Sequence, residues 1–290
     1  MFAPKLHDVT TKTLAAPFVT HDAGSLAGAL VLRPATAVDR LVPLRGEPSP
    51  IGDRAVEQHR ILVGRLRDKG VAVTELEPVH ETPGESLIAD CAIVLPKGAI
   101  ITRPSSVDRR NETQAVENAL VALGIPVLGR IEAPGLLDAT DVAFGGDTLY
   151  IGVPKAGSGL RARSNELGRR GLETIASAHG LRTVELALAA DVLRLRNVFN
   201  FVARDTVVVA GERVDIVPLA GLKTVEVPQG EEFAAGILTL GERRILANLR
   251  YRESVAVFRK AKIAVEAIDL WEFGKAGAGP FSLVLATKRG

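Results

Sequence analysis

One order of elements recurs along the chain: two short apolar strands joined by a tight turn, a helix stopped by glycine, and a third strand. It is clearest at Cys91-Ala-Ile-Val-Leu95, the turn Pro96-Lys-Gly98 and Ala99-Ile-Ile-Thr102, followed by helical spacing over 109–123, Gly124, and a strand over 125–128. A further copy has strands at 142–144 and 149–153 around Gly145-Gly-Asp147, a helix over 164–179 stopped by Gly180, and a strand at 182–186. Before these comes a first copy: a strand at 29–33, a helix over 53–69 stopped by Gly70, and a strand at 71–76. After them come a degraded fourth copy (199–203, 206–210, a helix over 213–219, 224–227) and a fifth (234–240, 244–249, a helix over 252–261, 264–269). The chain then ends on a lone strand at 281–287, which lacks a partner unless it pairs with 29–33 and completes the first copy.

Five units with a period of roughly 40 to 50 residues predict a repeat architecture. With the last strand completing the first unit, the repeats close into a ring that leaves no sheet edge over and whose strand ends converge on a central channel. The alternative is an ordinary α/β protein of alternating elements, but a hairpin before each helix is not the order of simple βαβ crossovers. Asp138 and Asp141 sit in the turn that leads into the third unit, where two carboxylates can face the common centre.

Composition narrows the function. The 290 residues are 47% hydrophobic, enough for a buried core, and 36 basic against 34 acidic residues leave a net charge of +2. The charges are interspersed, so no nucleic-acid partner is expected, and the basic residues between 243 and 262 read as a solvated face. A single cysteine, Cys91, excludes an internal disulfide framework and a cysteine-rich metal site. Residues 1–28 lack the apolar core of a signal peptide, and no run approaches the ~18 apolar residues of a membrane span. The expectation is a cytoplasmic protein with no membrane association, no cofactor and no metal, and a homodimer is compatible with it.

The chain contains Gly98-Ala-Ile-Ile-Thr-Arg-Pro104 with Arg109-Arg110 and Glu112, Ala133-Pro-Gly-Leu-Leu-Asp-Ala-Thr-Asp141, Leu149-Tyr-Ile-Gly152, and Ala162-Arg-Ser-Asn165 with Gly168. Taken together these segments resemble the dimethylarginine dimethylaminohydrolases, members of the pentein superfamily of guanidine-modifying enzymes. The resemblance implies an α/β propeller of five ββαβ units around a pseudo-fivefold axis. Residues 1–28 are then an N-terminal extension packed on a single five-bladed domain, 29–290.

The resemblance also assigns roles. Asp90 stands where the family's aspartate holds the substrate guanidinium, and Asp138 where a carboxylate orients the catalytic histidine. Arg103 and Arg163 match two arginines that grip the substrate carboxylate in bacterial members, and the alternative is that they are structural ion-pair partners. The catalytic groups are replaced. Arg194, in Val192-Leu-Arg-Leu195, takes the place of the histidine, and Pro280, in Gly279-Pro-Phe-Ser-Leu283, that of the nucleophilic cysteine. Gly84 stands where an acidic residue that helps bind the substrate's amino group is expected, and Ala89 where a glutamate is.

Attack on a guanidinium carbon requires a nucleophile and a proton donor for the departing amine. Proline supplies neither, and arginine stays protonated at neutral pH. Strand alternation would turn Cys91 away from Asp90 into the shell, Ser282 has no histidine beside it, and His7, His21, His59, His80 and His179 are scattered. Arg194 is expected to pair with Asp138 or, in the place of a substrate guanidinium, with Asp90, because a buried charge needs a partner. Two readings stay open. One is a catalytically silent pentein that binds a small carboxylate, an arginine-like metabolite or a protein partner. The other is a hydrolase of arginine-type guanidines working through an unrecognised nucleophile.

Overall fold

The computed structural model describes residues 13–154 and 163–290. Residues 1–12 with His7, and Ala162, lie outside the described residues. In chain order the elements are β1 (Leu26–Leu32), α1 (Gly52–Asp68), β2 (Ala72–Leu76), β3 (Ala92–Leu95), β4 (Gly98–Ile101), α2 (Glu112–Ala122), β5 (Val127–Arg130), β6 (Val142–Phe144) and β7 (Thr148–Pro154). They continue with α3 (Glu166–Ala178), β8 (Arg182–Leu188), α4 (Leu195–Val198), β9 (Phe199–Ala203), β10 (Thr206–Val209), β11 (Lys223–Glu226), β12 (Leu238–Gly241), β13 (Arg244–Asn248), α5 (Arg252–Lys260), β14 (Ala264–Ile268), α6 (Trp271–Gly274) and β15 (Leu285–Arg289).

The strands form five three-stranded sheets, β15-β1-β2, β3-β4-β5, β6-β7-β8, β9-β10-β11 and β12-β13-β14. In each, an antiparallel pair is extended by a parallel third strand, the order expected of ββαβ units around a pseudo-fivefold axis. Closure occurs where the sequence requires it: Ala29 pairs with Ala286 and Leu30 with Leu285. The last strand starts later than expected, however, because 280–283 is a turn of 3-10 helix. Pro280 fixes its own φ at the first position of that turn and has no N–H to give a ladder.

Helices α1, α2 and α3 stop where glycines reach the left-handed region, at Gly70 (φ 79°), Gly124 (φ 82°) and Gly180 (φ 78°). Their apolar faces enter the core: Leu62 and Leu66 pack with Val31 and Val73, and Leu120 and Leu172 join the cluster of Ile93, Ile100 and Ile151. The expected helix of the fourth unit is reduced to a 3-10 turn, Val217–Leu219. Pro218 and the β-branched Val214, Ile216 and Val217 all disfavour an α-helix there.

Ahead of β1 the chain is laced to the ring. Leu14 N donates to Leu123 O at 2.9 Å, Phe18 N to Pro96 O at 3.0 Å, and Val19 bridges Arg289. No helix among the described residues is long and apolar enough to cross a membrane.

Candidate functional site at the centre of the ring

Each unit enters the ring through one short helical turn ahead of its first strand. These turns are Ile88–Asp90 before β3, Ala139–Asp141 before β6, α4 before β9, Glu232–Ala235 before β12 and Pro280–Leu283 before β15. Asp90 and Asp141 end two of them, Asp138 and Arg194 immediately precede two, and Pro280 opens the last. The sequence already places Asp138 and Asp141 in a turn ahead of a strand; the structure puts Asp90 and Pro280 on turns of the same kind, ahead of β3 and β15. The alternation argument for Cys91 therefore does not apply, since Asp90 and Cys91 have helical rather than extended backbone. Cys91 is buried all the same, in the core beside Ile88 and Ile100, and burial pushes its thiol well above the usual range.

Asp90 is 0% exposed, and both its oxygens are taken by the protein. Oδ2 accepts from Arg109 Nη1 at 2.5 Å and from Arg194 Nη2 at 3.4 Å, and Oδ1 accepts from Thr140 Oγ1. Burial is the strongest influence on this carboxyl and would raise its pKa. Arg194, Arg109, Arg163 and the Thr140 bond together outweigh it and hold the group far below the ordinary range.

Arg109 was read from the sequence as the first residue of a helix. It lies instead in the turn before α2, with Nε donating to Glu112 Oε2 at 2.9 Å and Nη2 to Leu87 O at 3.0 Å. Glu112 is a local partner, but nothing local marks the link to Asp90, 19 residues away. Gly84 makes the room: a Cβ there would sit 2.9 Å from Arg109 Nε.

Arg194 is 2% exposed and does reach Asp90, one of its two expected partners. The expected Arg194–Asp138 pair does not form. Asp138 Oδ2 accepts from Arg163 Nη1 at 3.1 Å and Oδ1 from Ser105 N at 3.3 Å. Among the described residues Arg194 Nε and Nη1 have no hydrogen-bond partner, and burial is the main cause of a pKa below the ordinary arginine value. Arg103 turns to the neighbouring chain, donating from Nη1 to Gly135 O at 3.2 Å while its backbone bridges Leu137. Pro280 is buried, as is Ser282, whose Oγ finds no partner among the described residues.

Asp141 is a second buried acid with a different setting. Its Oδ2 accepts from Ser164 Oγ at 2.6 Å and Oδ1 from Leu195 N at 3.2 Å, and it forms no ion pair among the described residues. Burial first, then the neighbouring Asp138, push its carboxyl up to about 7. Asp138 is raised for the same kind of reason, by burial and by Asp90.

The segment carrying Asp138 and Asp141 is pinned by the start of α3. Asn165 Oδ1 accepts from Leu136 N at 2.9 Å and from Gly168 N at 2.8 Å, Asn165 N donates to Leu136 O at 2.9 Å, and Nδ2 donates to Pro134 O at 3.0 Å. Gly168 lies flat against this segment, so a Cβ there would come 2.0 Å from Leu136 O. Gly168→Ala is thus expected to cost about 1–3 kcal/mol, the ordinary penalty of overpacking, read as a lowered Tm. An unchanged Tm would show that the helix is free to shift.

Among the described residues no histidine side chain hydrogen-bonds to Asp90, Asp138 or Asp141. His59, buried in α1, is pushed down to about 4 by burial, and buried His21 accepts at Nδ1 from Ala23 N at 2.9 Å. Among the described residues no group of three or more His, Cys, Asp and Glu could hold a metal ion.

No protein-family model matches the chain. A dimethylarginine dimethylaminohydrolase of Pseudomonas aeruginosa is 30% identical over 228 residues, 78% of this chain and 85% of its own length. Another, of Streptomyces coelicolor, is 28% identical over 221 residues, 76% of this chain and 81% of its own. The solved structure of the Pseudomonas enzyme complexed with citrulline superposes with a TM-score of 0.82 at 27% identity, covering 90% of this chain and 99% of that one. The N-terminal domain of a cyanobacterial arginine dihydrolase shares the fold, with a TM-score of 0.77 at 20% identity over 91% of this chain and 98% of that one. With five ββαβ blades around an acid-lined centre and a relative at this level of identity, the chain belongs to the dimethylarginine dimethylaminohydrolase family of the pentein superfamily.

Proposed function

We propose that this protein is a non-hydrolytic pentein, one that binds a carboxylate-bearing or arginine-like metabolite or a protein partner rather than turning a guanidine over. The observation that supports it most is the occupancy of Asp90: the carboxylate matched to the family's guanidinium holder is fully buried, with Arg109, Arg194 and Thr140 bonded to it. A substrate guanidinium would have to displace an internal one. The two positions matched to the family's chemistry agree with this. Pro280 has no nucleophilic atom, and Arg194, even with its pKa lowered, is no proton acceptor near neutral pH.

What remains for a ligand is positive. Arg163 is the most open of the arginines around the acids, its side chain 27% exposed, and Arg103 is half-buried nearby on the segment that holds Leu137. A guanidinium of this kind suits a carboxylate.

The test is citrulline production from dimethylarginine and from arginine. No turnover above background is expected of the protein as it stands, nor of Pro280→Cys or Arg194→His alone, since each leaves one chemical step unserved. The double variant is the minimum for any gain. Citrulline formed by the unaltered protein would overturn the proposal.

A further inference from the structure

The ring contains a second polar centre, below the layer of Asp90 and Arg194. A cavity of about 70 Å³ runs from the turns carrying Ala89 and Thr140 down to Asp22 and Arg289. It lies on the ring axis: Val94, Phe144, Leu238 and Leu285 line it from four of the sheets, and Arg196 enters from the turn before the remaining one. A water needs about 10–15 Å³ of such space, so there is room for a small ligand or several waters.

Charge in this cavity is unbalanced. Asp22 is the one carboxylate that lines it, against two guanidiniums, Arg196 and Arg289. Asp22 Oδ2 already accepts from Arg196 Nη1 at 2.5 Å and from Phe144 N at 2.9 Å, and Arg196 Nε donates to Asn200 Oδ1 at 2.5 Å. Arg289 has no such partner. It is 2% exposed, donates from Nη1 only to the neutral carbonyl of Gly24 at 2.9 Å, and has a buried Nε without any hydrogen bond among the described residues. Burial lowers its pKa to about 10, with Arg196 acting in the same direction against Asp22, so it remains a cation at neutral pH. A buried charge without a counter-charge costs several kcal/mol, and the remaining walls cannot supply one: they are apolar side chains and Thr140, whose hydroxyl donates to Asp90.

We infer that this cavity is a binding site for a small monovalent anion, a halide or a short-chain carboxylate, held between the guanidiniums of Arg289 and Arg196 at the opposite end of the channel from Asp138 and Arg163. The site is separate from the proposed ligand position and does not depend on it. Arg289 supplies the free donors and Asp22 competes with the anion for Arg196. The small volume and the mainly apolar side chains of the rest of the lining disfavour a heavily hydrated or polyvalent ion.

Thermal unfolding of the full chain in sodium gluconate, a bulky and heavily hydroxylated anion, provides the baseline. Replacing gluconate at constant ionic strength with chloride, acetate or propionate should raise Tm in a saturable way, and sulfate should not. The chloride and carboxylate arms tell the two sources of the monoanion apart. Asp22→Asn, which keeps an acceptor for Phe144 N, should tighten the response several-fold, and Arg289→Gln should abolish it. Should Arg289→Gln fail to fold, crystals of the unaltered protein soaked in bromide decide: an anomalous peak between Arg289 and Arg196 is expected. A Tm insensitive to all three monoanions, a response equal in Asp22→Asn and the unaltered protein, or a bromide-free cavity would each overturn the inference.

Discussion

Asp90→Asn is expected to remove about 3–5 kcal/mol of stability, the cost of leaving buried cations without their counter-charge. Against a total of about 5–15 kcal/mol for a folded domain, that brings the protein to the edge of unfolding. The loss falls unequally on the two arginines. Arg109 keeps Glu112, 2.8 Å from its Nη2, whereas Arg194 loses the one carboxylate within ion-pair reach. Urea titration of the variant at pH 5 and pH 7 should show nearly the same deficit. Asp90 has a folded pKa below its unfolded one, so its contribution is fully present above about pH 4 and disappears only as the pH falls through the folded value. Arg194→Leu makes an instructive contrast. It leaves Asp90 with Arg109 and Thr140, so its loss should be smaller, and it should shrink on acidification because the remaining acids are then more easily protonated. An Asp90→Asn variant within 1 kcal/mol of the parent, allowing for the roughly 10–15% error of extrapolation, would mean that Asp90 does not hold the arginines in place.

Asp141 should act in the opposite sense. Its folded pKa, raised to about 7 mainly by burial, exceeds its unfolded value, so between about pH 4 and pH 7 the folded state binds more protons than the unfolded one. Stability contributed by this site therefore falls as the pH rises through that window. Three pKa units correspond to about 4 kcal/mol, which is the ceiling of the penalty above neutrality. Asp141→Asn removes the charge while its amide oxygen can still accept from Leu195 N and its amide nitrogen can donate to Ser164 Oγ. The variant should match the parent near pH 5 and exceed it by about 2 kcal/mol or more at pH 8, within that ceiling. Denaturant melts at pH 5, 6.5 and 8 check this, and a gap that fails to open on the alkaline side rejects it.

The blades are legible because they carry local signals: short apolar strands, a turn, and in three of them a glycine that ends the helix. Gly70, Gly124 and Gly180 do end helices, and pairing of the last strand with the first followed from counting. Where local chemistry was ambiguous, the reading drifted. Residues 213–219 have helical-looking spacing but contain Pro218, and 281–287 was read as strand although Pro280 opens a helical turn. In the centre, Asp90, Asp138, Arg163 and Arg194 were identified by resemblance, and the structure gathers them. Their partners were not legible, since Arg109, Thr140 and Ser164 join the acids only through the folding of the ring. The partial charge balance of Asp22, Arg196 and Arg289 spans nearly the whole chain and leaves no trace in any window of the sequence.

Among the described residues the first sheet joins the strands farthest apart in the sequence, with β15 lying beside β1. Translation delivers β1 and β2 before the other four sheets and β15 after them, so until then that sheet has a bare outer edge on β1, its N–H and C=O groups open to any other extended chain. Four blades can form as they emerge, but the ring cannot shut until residues 285–289 leave the ribosome. Closing across so many intervening residues is a slow, non-local step. The segment ahead of β1, bonded to Leu123, Pro96 and Arg289, acts as a clasp over this junction, and it too can be fastened fully only once Arg289 is in place.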